Sequence, residues 1–542
     1  MADGDEKRRF SSEGENNAAR VDVDELLNAS GHVQELDRTW GFWSIAGQAI
    51  ISDNAWAAGA GSLVLALYNG GGPGVLYGLI AATFFYAFIC AGLAELSSAI
   101  PSSANVYHWA SVTPGPKYAK VCSWFAGWWN CVAWIFGCAS TSLFAANAVV
   151  AMYNIYHPEY VLQRWHVFIA YLFIIWFDNL LICFGQKYIA RFATSAGVLC
   201  ILFYLVSILI VAIMPSRNGF GYASNSFVWT NFQNFTGWSS NGFVFLMGML
   251  NGAYTVGTPD GVCHLCEETP NPKVNIPKGV YIQLTTAFAM AFTFYIAVLY
   301  GVTDLDAVYS TNITSLPLAA MFQQATRSNG LTFALLFIYF IDILFTVPGA
   351  WITAGRMLWT LGRDDATPFP NFVRKVSPRF KNPFNAQILC AIGGTILGAI
   401  YVGSATAFNA FVASFSIFTT MSYLAAVLPH LLTRTRYVKP GPFWVPGVWG
   451  YIVMGIGCAY TIVFNVIYLF PYSYPVASPD LMNWTSVLFV GITFLLTLGF
   501  FWKRSRGYVG PKVVMEAHDD IMKGVIGLDK QMEEERKRQM TS

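Results

Sequence analysis

The stretch "GMLNGAYTVGTPDGVCHLCEETPNPKVNIPKG", residues 248–279, begins as an apolar helix and then loses its regularity. Gly252, Gly257, Pro259, Asp260 and Gly261 interrupt it, placing a carboxylate where lipid would be expected. In hydrocarbon every backbone N–H and C=O needs a partner within the protein, so broken backbone survives only packed in protein or facing a wet cavity. A second stretch has the same character. "WSIAGQAIISDNAWAAGAGS", residues 43–62, carries Ser52, Asp53 and Asn54 at its centre with glycines on both sides. Paired interruptions in corresponding halves of a chain point to a secondary transporter's binding site. Half-helix ends there present partially charged groups to an ion or polar solute.

The composition agrees. Of 542 residues, 55% are hydrophobic and 11% charged, with a mean hydropathy of +0.47; a soluble chain carries about a quarter charged residues. Apolar runs long enough to cross a bilayer, roughly twenty residues each, recur along the chain. They predict an all-α integral membrane protein of about twelve transmembrane helices, near 41–66, 73–96, 119–149, 164–184, 190–214, 241–265, 278–302, 330–359, 384–403, 407–432, 447–470 and 484–503. The polar segment 1–37 lacks the apolar core of a signal peptide and reads as a disordered tail, as does 507–542, with the transporter domain at 38–506 between them. A net charge of +2 gives no reason to expect a nucleic-acid partner. The ten cysteines sit mostly inside apolar runs and read as small buried hydrophobes. Nothing calls for a cofactor.

Basic residues set the expected orientation. Lys117, Lys120, Lys187, Arg191, Lys273, Lys278, the group from Arg363 to Lys381, and Arg434 to Lys439 fall in loops on one side. Arg164, Arg217 and Arg327 are the cations of the other side. The positive-inside rule places the first set, and both termini, in the cytosol. Sequons at Asn234, Asn312 and Asn483 all fall on the outer side and are glycosylation candidates.

Each candidate residue has two readings. Asp53 and Asp260 could pair with loose amides at the breaks, or serve a substrate, which is the default for an intramembrane carboxylate. Asp342, in "FIYFIDILFTVPG", is a third mid-span carboxylate; Asp178 reads as a helix-packing partner, and Glu95 as a cap or gate. His264, Glu267 and Glu268 share a helical face in "HLCEET". That spacing can suit a metal, but a single histidine without further ligands favours an ion-pair gate with nearby Lys or Arg. "CSWFAGWWNCVAWIF" places Trp134 near mid-membrane, close to Asn130. An aromatic wall beside a carboxylate suits a quaternary ammonium, which donates no hydrogen bond and is held by cation–π attraction. Trp56 and Tyr254 flank the breaks and could add to such a cage.

These residues carry a family resemblance. "EETPNPKVNIPKG", "AELSSAIPSSANVYHW" and "GRMLWTLGRDDATPFP" resemble motifs of the amino acid–polyamine–organocation superfamily, over Gly31 to about Arg506. "GHVQELDRTWGFWSIAGQAI" is similar to the fungal branch containing choline and γ-aminobutyrate permeases. The resemblance implies a leucine-transporter-like fold: inverted repeats of five helices at about 41–214 and 241–432, discontinuous helices 1 and 6, and two peripheral helices at about 447–503. By motif position it implies a substrate site of Ser52, Asp53, Asn54, Asn130, Trp134, Tyr254, Gly257 and Asp260, with Ala350 and Trp351 from the eighth span. Two departures stand out. The first break has "AIISDN" in place of the superfamily's glycine-rich GxG, which disfavours gripping a carboxylate and suits a cationic substrate. The fifth span, "RFATSAGVLCILFYLV", lacks the lysine that some members use in proton coupling.

The expected function is import of choline or a related organic cation at the plasma membrane, driven by protons or by the membrane potential. Glu95, His264, Glu267, Glu268 and Asp342 are the candidates for gating and coupling. The lipid bilayer is the expected surround, and an amino acid, γ-aminobutyrate or polyamine permease is the nearest rival. A membrane enzyme using His264 and Glu267, or a nutrient sensor acting through its tails, would be a different class.

Overall fold

The computed structural model describes residues 40–310, 316–404, 406–479 and 482–511. The N-terminal tail, the sequon at Asn312 and the C-terminal tail beyond 511 lie outside these residues. Among the described residues every regular element is helical. Ten unbroken helices are long and apolar enough to cross a membrane. They are the second span (Gly71–Ala99), third (Ala119–Tyr156), fourth (Arg164–Gly185), fifth (Ile189–Arg217), seventh (Pro272–Gly301), eighth (Asn329–Arg363), ninth (Phe384–Gly403), tenth (Thr406–Thr433), eleventh (Gly447–Ile467) and twelfth (Thr485–Ser505). The first span is split into Phe42–Asp53, Ala55–Gly61 and Leu63–Tyr68. The sixth runs as a helix over Asn241–Thr255, then irregularly, then as a 3-10 turn at Cys263–Glu268. Among the described residues the crossings therefore number twelve, as the hydropathy predicts, and an even number brings Trp40 and residue 511 to one side, here called the terminal face.

The second and seventh, third and eighth, and fourth and ninth spans pack against each other. Each pair consists of counterparts five spans apart, the relation expected of two repeated halves. Small residues allow the closest crossings. A β-carbon on Gly47 of the first span would stand 2.7 Å from the Ala193 carbonyl oxygen of the fifth. One on Gly252 of the sixth would stand 2.9 Å from the Gly78 carbonyl oxygen of the second.

The two interruptions differ in kind. In the first span Ser52 and Asp53 remain helical, and the break narrows to Asn54, at φ 41°, ψ 49°. Asparagine is among the few side chains that enter this left-handed region readily. The helix resumes at once, because the Asn54 carbonyl accepts from the N–H groups of Ala57 and Ala58. The sixth span loses its helix over a longer stretch. Pro259 has no N–H to continue the ladder, and tight turns replace it, from Gly261 N–H to the Thr258 carbonyl at 3.0 Å and from Cys263 N–H to the Asp260 carbonyl at 2.8 Å. The span placed at 241–265 thus ends its α-helix at Thr255, inside the interruption expected between Gly252 and Gly261. The packed body also extends past Arg506: Tyr508 is buried, its hydroxyl 3.1 Å from that of Tyr107.

Candidate functional site

Asp260 sits in the irregular part of the sixth span, fully buried, and four donors and a ring nitrogen of His264 converge on it. Its Oδ2 accepts from Asn130 Nδ2 at 2.7 Å, Trp134 Nε1 at 3.2 Å and Asn105 Nδ2 at 3.2 Å, with His264 Nε2 at 3.3 Å. Its Oδ1 accepts a short bond from the Tyr423 hydroxyl of the tenth span. Unwinding makes this possible, since a carboxylate on a regular helix could not face the third span, the tenth and the 2–3 connector together. Asn130 and Trp134, four residues apart, lie on one face of the third helix.

Asp53 has a sparser shell. Its two oxygens accept from Thr258 Oγ1 at 2.8 Å and Gln283 Nε2 at 2.7 Å, so the first span, the sixth-span break and the seventh span meet there. Both partners are neutral, and among the described residues no Lys, Arg or His lies within ion-pair distance of Asp53. An aromatic wall adjoins this point. Phe415 lies edge-on to Tyr254 at 5.5 Å and to Trp134 at 6.1 Å between ring centroids. It also reaches Gly257, where a β-carbon would be 3.1 Å from the ring, next in the chain to Thr258. The Tyr254 hydroxyl is held by Ser140 at 2.8 Å and Thr141 at 3.3 Å. Ser52 borders the same region, its hydroxyl 3.0 Å from a β-carbon placed on Gly261.

A third group lies behind the first span. Asn54 donates to Thr346 Oγ1 of the eighth span at 2.7 Å, and Cys200 Sγ of the fifth is 3.5 Å from Asn54 Oδ1. Asp342 is buried beside Asn54, Trp56 and Cys200. Trp56 packs edge-on against Phe294 at 5.0 Å and Tyr339 at 6.2 Å, so its neighbours are the seventh and eighth spans rather than the wall of Trp134 and Tyr254. Trp351 is also elsewhere. Its indole fills the space that a side chain on Gly394 of the ninth span would need. Gly349, two residues earlier, meets the first span, and two residues turn a helix by about 200°, so Trp351 points the opposite way. Asp178 is buried on the fourth span near Cys138 of the third, and neither carboxylate oxygen makes a hydrogen bond.

On the terminal face the acidic pair after the break is fastened. Glu268 meets Arg356 at 3.0 Å and Glu267 meets Arg363 at 3.3 Å, both arginines coming from the end of the eighth helix rather than from a loop. Trp40 adds two bonds to Glu268, from its N–H at 3.0 Å and its indole at 3.3 Å. Ser103 caps the turn, accepting the Glu267 N–H at 3.0 Å. Glu95 is buried between His430 at 2.9 Å and Arg434, and also accepts the Val445 N–H at 2.9 Å. The three sequence motifs are therefore one structural unit.

On the opposite face, Asn483 is buried, and its amide donates to the Tyr468 and Phe470 carbonyls at 2.8 and 3.0 Å, which leaves no room for a glycan. Asn234 is half-buried, its amide donating to the Trp238 carbonyl at 2.7 Å. Tyr423, Phe415, Thr258, Gln283, Arg356 and Arg363 are absent from the sequence-derived site. The arginines stood inside a quoted motif, and Thr258 beside Asp260. Tyr423 and Phe415 carry no local signal, because only folding brings the tenth span to the centre.

A family model described as amino acid permease matches residues 39–495. The choline transporter of Saccharomyces cerevisiae is 30% identical over 493 residues, 89% of this chain and 84% of that protein. A putative polyamine transporter of Candida albicans is 27% identical over 522 residues, 92% of this chain and 91% of the relative. The 7-keto 8-aminopelargonic acid transporter of S. cerevisiae is 24% identical over 540 residues, 86% and 92% of the two chains.

Proposed function

The chain belongs to the amino acid permease family, and from that premise we propose that it imports choline or a closely related organic amine by alternating access. The observation that carries this reading is Asp53, a buried carboxylate at the first break whose hydrogen-bond partners are neutral. A buried charge without a counter-charge is costly. A permanently cationic substrate supplies that counter-charge, and Trp134, Phe415 and Tyr254 offer ring faces to methyl groups that cannot donate hydrogen bonds. Asp260, held by four donors and beside His264, belongs to the holding machinery in this reading. The similarity to a choline transporter along nearly the whole chain supports the substrate class.

The protein resides in the plasma membrane with the terminal face cytosolic. Entry of a monovalent cation is then favoured by about 2.3 kcal/mol per 100 mV of membrane potential. The test is counterflow of radiolabelled choline in proteoliposomes, competed by ethanolamine, γ-aminobutyrate and spermidine. Choline should compete best, and D53N should raise its apparent KM by roughly tenfold or more, a loss of about 1.4 kcal/mol for each factor of ten. Exchange indifferent to excess unlabelled choline would end the reading, and preferential competition by spermidine would move it to a polyamine permease.

A further inference from the structure

We infer that His264 and Asp260 form a single-proton site whose occupancy controls how tightly the sixth span is fastened. The tautomer follows from the partners. His264 Nδ1 lies 3.1 Å from the Ser103 carbonyl, which can only accept, so Nδ1 carries a hydrogen. Nε2 then faces Asp260 Oδ2 at 3.3 Å and Asn105 Nδ2 at 3.2 Å. With a proton on Nε2, the imidazolium donates to the carboxylate. Without it, the Asn105 amide, which also reaches Asp260 Oδ2, donates one N–H to the ring and the other to the carboxylate. On loading, the Asn105 amide gives up the ring, since both facing nitrogens then carry hydrogens, and keeps its bond to Asp260 Oδ2. All of these atoms are buried.

The consequence follows from charge. The unloaded site holds a buried carboxylate with no compensating cation, which strengthens its bonds from Asn130, Trp134 and Tyr423 and clamps the sixth-span segment to the third and tenth spans. Loading a proton on Nε2 neutralises the pair and weakens that clamp. The proton enters and leaves at Nε2, exchanged with water, and no other bond changes. The third-span and connector groups facing the pair, Asn130, Trp134 and Asn105, do not titrate. The ionisable groups in reach are Tyr423 of the tenth span, Tyr86 and Cys90 of the second and Cys263 on its own segment, with Asp53 of the first span reaching Tyr86 and Cys90. Among these groups only His264 brings a donor that can become a cation.

This deepens the proposed function and rests on it only for the substrate, so two arms separate the claims. In the first, 15N-histidine-labelled protein in nanodiscs is titrated by NMR, with no substrate present. Of the seven histidines, the signal missing in H264Q reports the site. It should show both ring nitrogens protonated at the acid end and lose the Nε2 proton as pH rises, with that loss moved to lower pH in D260N. A ring singly protonated throughout, or a titration unmoved in D260N, overturns the inference whether or not choline is the substrate. Should D260N not fold, Y423F, which removes one donor to the carboxylate, should move the same titration toward higher pH, and no movement counts against the inference. In the second arm, an inward gradient of one pH unit at clamped potential should drive about tenfold choline accumulation at one proton per substrate. H264Q should lose that accumulation, and its retention overturns the assignment.

Discussion

At Asp260 four donors and His264 Nε2 meet two oxygens, while Asp53 receives two donors, both neutral groups. The two shells differ in how much room they leave for a further partner. On the proposed reading the encircled carboxylate stabilises a conformation, and Asp53, with its more open shell at the first break, takes the guest. The aromatic wall gives a discriminating prediction. Replacing Phe415 or Tyr254 by Leu should weaken choline more than ethanolamine, because a primary ammonium keeps its hydrogen bonds when a ring face is lost. Competition curves for the two amines in each variant measure this, and equal losses would reduce the rings to packing. Asn483 gives a second prediction: N483Q should leave electrophoretic mobility unchanged before and after glycosidase treatment, since the amide is already spent on two carbonyls inside the fold. The sequon was legible in the sequence, but its burial was not, because burial of a loop residue depends on what packs over it.

Among the elements, the first and sixth spans carry the decisive irregularities, and each break has its own cause. The first turns on one left-handed residue, so its tolerance should follow side-chain sterics. N54G should yield folded protein, whereas N54V should not, a β-branched residue there costing about 1–2 kcal/mol in backbone conformation alone and losing the bond to Thr346. Thermal denaturation of the purified variants reads the difference. The crossing of the sixth span over the second is limited by sterics as well. A leucine at Gly252 would collide with the Gly78 carbonyl, Leu79 and Ala82, and G252L should fail to give monodisperse protein on gel filtration. Glycines and the proline marked the sixth break in the sequence. What they could not mark is that the continuation is a short 3-10 turn, since its geometry is set by Ser103 and by the arginines of the eighth helix.

For the whole molecule, the terminal face is closed by contacts between spans far apart in the chain. Arg356–Glu268 and Arg363–Glu267 hold the sixth-span turn to the eighth helix, and Trp40 seals the first span over it. Removing one partner of a buried pair strands the other charge, a cost of about 3–5 kcal/mol to the closed form. R356A should therefore populate conformations open on this face. Cys266, buried in the fastened turn, reports it: alkylation by N-ethylmaleimide should speed up in R356A and slow again in the charge exchange of Arg356→Glu with Glu268→Arg. Unchanged labelling would mean that the pair does not hold the gate.

Twelve crossings, paired interruptions and a family-wide set of motifs were all readable from the order of residues, because hydrophobic length and broken backbone are local properties that a bilayer forces into the sequence. The three motifs could be recognised one by one for the same reason. Their union into one latch, the different donor shells of Asp53 and Asp260, and the placing of Trp56 and Trp351 away from Trp134 and Tyr254 were decided by the tertiary structure alone. Each depends on which faces of distant helices meet, and a single helix carries no record of its neighbour.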